Sequence, residues 1–277
     1  MSPVRPMAGL SLSAAVLVGW LLLSLMGPLV APYPSGSIHL DARLQGPSAR
    51  FLLGTDDLGR DVLSRLLVGS RVSLAVAVTS LFLSALLGAP AGLLAGYLGG
   101  TADATACRVM DILMAIPGLL LAISIVAFVG KGFTPLVLAL SVTGWVGYAR
   151  LARASAMGLR TREFVTASVS LGAGTPRIVL FHIFPNTAGL LAVQSAAGAA
   201  GVILSEAALS FLGLGVQPPH PSWGEMLASG CDTLLEAPHL ALIPGVCLFA
   251  VVWALYAFGE GLAGRLDPKR AFRADSL

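Results

Sequence analysis

The chain has 277 residues, of which 56% are hydrophobic and 11% charged, whereas soluble domains run at about 45–50% apolar and about 25% charged. With a net charge of only +3 from 17 basic and 14 acidic residues, this excludes an ordinary soluble globule, a disordered chain and a nucleic-acid binder. The expected fold class is an all-α membrane protein, and 32 glycines supply the small positions at which membrane helices approach closely.

Six runs carry no charged residue: 10–30, 72–98, 112–130, 132–149, 187–205 and 240–259. Each is about as long as a helix needs to cross roughly 30 Å of hydrocarbon. Arg5 precedes the first run as it would a secretory signal, but the apolar stretch is too long for a signal core and reads as a retained helix. After it, Pro32, Pro34, Gly36, Gly46 and Pro47 indicate an irregular loop. Residues 58–67 read as a short amphipathic surface helix, with Leu58, Val62, Leu63, Leu66 and Leu67 opposite Arg60, Asp61, Ser64 and Arg65. Pro90 and Pro117 fall inside runs, where kinks are expected. The fourth run should continue as helix past Arg150 and Arg153.

Residues 160–186 are too polar to span and too patterned for a simple loop. Two short helices are expected, one over 161–171 stopped by Gly172 and Gly174, the other capped by Thr175, opened by Pro176 and ending at Phe181. Phe164, Val165, Ile178, Leu180, Phe181 and Phe184 give this basic segment an apolar surface that a soluble partner would cover. In the fifth run's continuation, Glu206 is a carboxylate in an apolar stretch; it either lines a pathway or reaches water near the interface. Residues 213–239 hold Pro218, Pro219, Pro221, Trp223 and Gly224, and Trp223 reads as an interfacial anchor or as the rim of a translocation mouth. With the N-terminus inside, 11 of the 17 basic residues fall on the side of 160–186, so both termini are expected in the cytoplasm.

Reactive chemistry is missing. There is no phosphate loop, no Gly-x-Ser-x-Gly elbow and no His-Glu-x-x-His pair. Cys107, Cys231 and Cys247 are scattered, and His39, His182, His220 and His239 lie at loops or span ends without metal-ligand spacing. No catalytic residue, metal or cofactor is expected.

The run from Gly54 to Asp61, Gly-Thr-Asp-Asp-Leu-Gly-Arg-Asp, continues with Ser64-Arg65, Gly69, Arg71 and Ser73-Leu74. Further on stand Arg162-Glu163-Phe164, the stretch Ser205 to Gly215, Ser222-Trp223-Gly224 and Arg265-Leu266-Asp267-Pro268. Over about residues 30 to 270 the sequence resembles the C-type permease subunits of the peptide/nickel branch of ABC importers. That family's coupling motif is Glu-Ala-Ala, three residues, Gly, nine residues and Ile-x-Leu-Pro. Thr166-Ala167-Ser168 stands at its start, Gly172 at its glycine and His182-Ile183-Phe184-Pro185 at its end, so Ala167, Gly172 and Pro185 match.

The resemblance implies a six-transmembrane-helix, type I-like permease of an inner membrane. Residues 1–70 would form the first span and outer loop, 71–265 the permease core with its coupling segment at 160–186, and 266–277 a cytoplasmic tail. It implies that Glu163, Phe164, Ala167, Gly172, Ile178 and Pro185 carry ATPase coupling and makes Glu206 a pathway candidate. The implied partners are a second permease subunit in a heterodimer, two ATPase subunits or domains, an external binding protein and the lipid bilayer. The implied cargo is small peptides, with nickel or a nickel chelate as the alternative. An ion-coupled secondary transporter would call for intramembrane charges and inverted repeats, and a membrane-embedded enzyme for a nucleophile and base; the spans show none of these clearly.

Overall fold

The computed structural model describes residues 6–266. Arg5, Lys269, Arg270, Arg273 and the expected tail beyond Leu266 lie outside the described residues. Ten α-helices follow one another among the described residues: α1 (Pro6–Val30), α2 (Val62–Leu98), α3 (Gly100–Ala115), α4 (Gly118–Val129), α5 (Phe133–Leu159), α6 (Glu163–Ser170), α7 (Thr175–Ile178), α8 (Phe184–Phe211), α9 (Trp223–Asp232) and α10 (His239–Leu266). A 3-10 turn covers Leu40–Ala42, and a π turn, Val179–Ile183, joins α7 to α8. No strand occurs among the described residues.

Five stretches are long and apolar enough to cross a membrane: Leu10–Val30, Val62–Leu98, Phe133–Leu159, Thr175–Phe211 and His239–Leu266. The sixth expected span, 112–130, is broken. α3 and α4 meet at 84°, and α4 alone, at 12 residues, is about 18 Å long against the roughly 30 Å of a bilayer core. The break falls where Ile116, directly before Pro117, takes an extended conformation (ψ 127°), as the clash with a following proline ring requires. Pro117 therefore ends one helix and starts another, while Pro90 is accommodated inside a continuous α2.

Two further expectations are corrected. Residues 58–67 are not a separate surface helix: Asp61 caps α2, its Oδ2 accepting from the Ser64 N–H at 2.8 Å, and the helix runs on from Val62 without interruption. Its supposed polar face is internal, with Ser64 and Arg65 buried. Likewise the second coupling helix does not end at Phe181. α7, the π turn and α8 make one continuous span from Thr175, so the chain goes from the coupling segment into the membrane without a loop.

Among the described residues, α2 packs most extensively against α5. Gly88, Gly92 and Gly96 recur every fourth residue on one face of α2. A methyl group at any of them would strike the α5 backbone, at the carbonyls of Trp145, Ala149 and Arg153 in turn. Ser141 Oγ and the Ser80 carbonyl oxygen lie 3.4 Å apart across the same pair. α5 continues past Arg150 and Arg153 as expected, and both arginines turn to α3: Arg150 to Asp111 at 3.0 Å, Arg153 to both oxygens of Asp103.

α2 extends about 55 Å at 1.5 Å per residue. Its C-terminal end lies beside α6 and α7, where Leu93 packs with Val165 and Ile178. Its N-terminal end lies beside α9, where the Trp223 ring N–H donates to the Leu66 carbonyl at 2.9 Å. The bundle therefore has an α6 end and an α9 end.

Candidate functional site

At the α6 end, Arg160 caps α5 and Arg162, extended at ψ 147°, starts α6. Glu163 sits in the first turn, where a carboxylate suits the helix dipole. The hydroxyls of Thr166, Ser168 and Ser170 donate back to the carbonyls of Glu163, Phe164 and Thr166 at 2.8–3.1 Å. Their donors are thus satisfied locally, and the helix presents a neutral face. Gly172 then reverses the chain at φ +81° with no atom near the missing side chain, a conformation that non-glycine residues rarely adopt.

Of the six expected coupling residues, Glu163, Phe164, Ala167, Gly172 and Pro185 are exposed at this end. Ile178 is not. It is 1% exposed and packs with Val165, Val179 and Ile183 against Ala89, Leu93, Ala152 and Ala156. Ile178 and Val165 root the segment in the bundle instead of facing a partner. The exposed apolar residues are Phe164, Val169, Leu171, Leu180, Phe181 and Phe184, with Leu171 at 89% exposure the most prominent. Leu171 carried no sequence signal of its own; its exposure follows from standing immediately before the Gly172 reversal.

The π turn explains how α6 is held. Pro185 has no N–H and its ring would clash with the carbonyl four residues back, so the backbone widens and the Phe184 N–H bonds to Val179. This turns His182 toward α6, its Nε2 3.3 Å from Ser168 Oγ and its ring 6.4 Å from that of Phe164. Asn186 Nδ2 donates to the His182 carbonyl at 2.7 Å. Beside α7, helices α2 and α8 leave an apolar groove of about 780 Å3 lined by Phe82, Leu86, Val179, Phe184 and Leu191 among others.

At the α9 end, Glu206 does not line an opening in this chain. It is 1% exposed, and its Oε1 accepts from Ser222 Oγ at 2.7 Å and Ser210 Oγ at 3.0 Å. Ser222 is the N-cap of α9, so the carboxylate fastens α9 to α8. A carboxylate is costly in lipid, and an internal hydroxyl pair is how this one avoids it. Trp223 is neither an interfacial anchor nor a rim residue: it is 2% exposed and packs against Trp20, ring centroids 5.9 Å apart and tilted by 33°.

The family described as binding-protein-dependent transport system inner membrane component matches residues 88–272. The chain belongs to this family. It is 44% identical over 252 residues to the di/tripeptide transport system permease protein of Pseudomonas aeruginosa (strain UCBPP-PA14), covering 89% of this chain and 83% of that protein. It is 39% identical to the glutathione transport system permease protein of Escherichia coli O1:K1, over 87% of this chain and 80% of that one. The fold is similar to solved structures of the MetNI methionine ABC transporter in inward-facing conformations, at a TM-score of 0.61 and 19% identity over 74% of this chain and 96% of that one. As a binding-protein-dependent permease the chain is a multi-pass inner-membrane transport subunit and not an enzyme.

Proposed function

We propose that this permease forms, with a second permease subunit, the route by which an importer takes up small peptides delivered by an external binding protein. Its relatives include a di/tripeptide, a glutathione and a dipeptide permease, which favours peptides over nickel. The observation that carries the mechanical part is the exposed apolar surface of α6 and its neighbours, rooted by Val165 and Ile178 and continuous with α8. An apolar helix in a partner's cleft is a recurrent way to transmit work, and one of two ATPase subunits would receive Phe164, Ala167 and Leu171. Movement of the docked ATPases would shift α6 and, through the π turn, α8. A strain lacking this chain should lose uptake of labelled dipeptide, with uptake restored by the wild-type chain; unchanged uptake in the deletion, with no second system expressed, rejects the peptide reading.

The α6 end belongs in the cytoplasm on the basic-residue asymmetry. A cysteine at Leu235, fully exposed at the α9 end, should react with an impermeant reagent in intact cells, in a background free of native cysteines. One at Leu171 should react only after permeabilisation. The opposite pattern inverts the topology.

Gly172→Val should damage coupling more than folding. Valine at φ +81° is strained by about 1–3 kcal/mol but meets no atom, so the cost falls on the orientation of α6. ATP consumed per peptide transported should rise while the assembled complex is recovered in normal yield. A wild-type ratio would remove Gly172 from the coupling surface.

A further inference from the structure

The stretch from Gly54 to Arg65 is dense in charge yet largely buried, and the coupling reading leaves it unused. Asp56 organises it. Its Oδ1 accepts from the Leu58 and Arg60 N–H groups at 3.0 and 2.9 Å, and its Oδ2 accepts from Arg60 Nε at 2.7 Å. The Thr55 hydroxyl donates to the Ala42 carbonyl and accepts from the Gln45 N–H at 3.0 Å. Gly59, at φ +73°, is pressed so closely on His39 that no side chain fits. Segment 39–61 is thereby tied into a plate, ending at Asp61, which caps α2.

Arg65, one turn into α2 with its side chain 4% exposed, links this plate to a distant element. Its Nε lies 3.3 Å from Asp56 Oδ2, and its Nη2 donates to Glu225 Oε2 at 2.7 Å, across 160 residues of sequence. Ser222 and Glu225 have the spacing of a capping box, and the Glu225 side chain is the one that bonds Arg65. The other charges beside the joint include Arg60, paired with Asp56, Asp57, 3.6 Å from Arg60, Asp61, one turn before Arg65, and Glu206, which feels the Glu225 charge. A buried ion pair adds little stability over apolar packing, whereas a planar guanidinium holding two carboxylates fixes their relative geometry.

On the importer reading above, we propose that Arg65 is a positioning residue of the α9 end: it joins the 39–61 plate and α9 to the first turn of α2, making them one body. α2 connects that body to the coupling surface. At its other end the Gly96 carbonyl lies 3.5 Å from Arg160 Nη1, and Arg160 stands two residues before the Arg162 cap of α6. Ser222 bonded to Glu206, and Trp223 bonded to Leu66, hold α9 against rotation.

The test uses the complete importer in proteoliposomes, with its external binding protein and labelled dipeptide. In Glu225→Gln and in Arg65→Lys, the stimulation of ATP hydrolysis by the binding protein should fall about fivefold or more, the lower bound of ordinary coupling between sites. Uptake should fall with it, while basal hydrolysis stays at wild type. Wild-type stimulation in both variants overturns the proposal. So does a parallel loss of basal and stimulated hydrolysis with lowered melting, which marks a purely structural pair. Spin labels at Leu52 and Asp232, both exposed, provide a measurement in the otherwise wild-type chain. Their separation should stay constant between nucleotide-free and ATP-bound complexes and vary in Glu225→Gln; variation without that substitution also overturns the single-body proposal. A wild-type complex with neither stimulation nor uptake rejects the importer reading instead.

Discussion

Gly92→Leu should strongly destabilise the folded permease and lower its monodisperse yield. A Cβ at this position would run into the Ala149 carbonyl and lie 2.8 Å from the Ala149 Cα, so the obstacle is backbone and cannot be relieved by a rotamer change. α2 and α5 would have to separate, opening the contacts made by Gly88 and Gly96 one turn to either side. Overpacking a core costs about 1–3 kcal/mol where side chains can give way; against backbone the cost should reach or exceed the top of that range. At about tenfold per 1.4 kcal/mol, the folding equilibrium constant drops by roughly a hundredfold or more. Fluorescence-detected gel filtration of the tagged chain in mild detergent reads this directly. Gly19→Leu is the control, because nothing lies within 4 Å of that position, and it should elute as wild type. A monodisperse, wild-type peak from Gly92→Leu would show that the α2–α5 contact is not as described.

Glu206→Leu should loosen α9. The substitution removes the acceptor of two buried hydroxyls, Ser210 and Ser222, and a buried polar group left without a partner costs about 1–3 kcal/mol. Ser222 also caps α9, accepting from the Glu225 N–H at 3.2 Å, so faster amide exchange should be confined to α9 and the residues before it. Glu206→Gln retains an oxygen that can accept both bonds and should exchange and melt close to wild type. Uptake then separates the two roles open to this residue. Normal uptake in Glu206→Gln means a fastening, whereas lost uptake with normal assembly means the negative charge itself is needed along the route.

What the sequence revealed depended on whether a feature was local. Charge-free length located the apolar middle of every long span, because lipid accepts few alternatives to a continuous helix, but it missed the polar ends, starting 10 residues after Val62 and 12 after Thr175. Gly172 was legible as a stop, since a glycine after a helical pattern usually takes positive φ. Pro117 was legible as a disturbance, but whether it bends or breaks a helix depends on the neighbours. The 58–67 segment misled because its polar residues looked solvated: Arg65 and Ser64 are polar and buried, with partners at Glu225 and Tyr33 that no local pattern announces. Trp223 misled similarly, since an indole among prolines resembles an interfacial anchor until Trp20 and Leu66 are seen beside it. Ile178 fits the apolar pattern of a docking face, yet its helical position turns it inward, where it holds that face in place.

The measurement that tests the central claim most directly is site-specific photo-crosslinking in the assembled importer, with a benzophenone amino acid placed at Leu171 or at Leu235. These residues are 89% and 100% exposed and lie at opposite ends of the bundle. The account predicts a covalent adduct between Leu171 and an ATPase subunit, stronger with nucleotide bound, and no ATPase adduct from Leu235. An ATPase adduct from Leu235, or none from Leu171 in a complex that hydrolyses ATP, would contradict it.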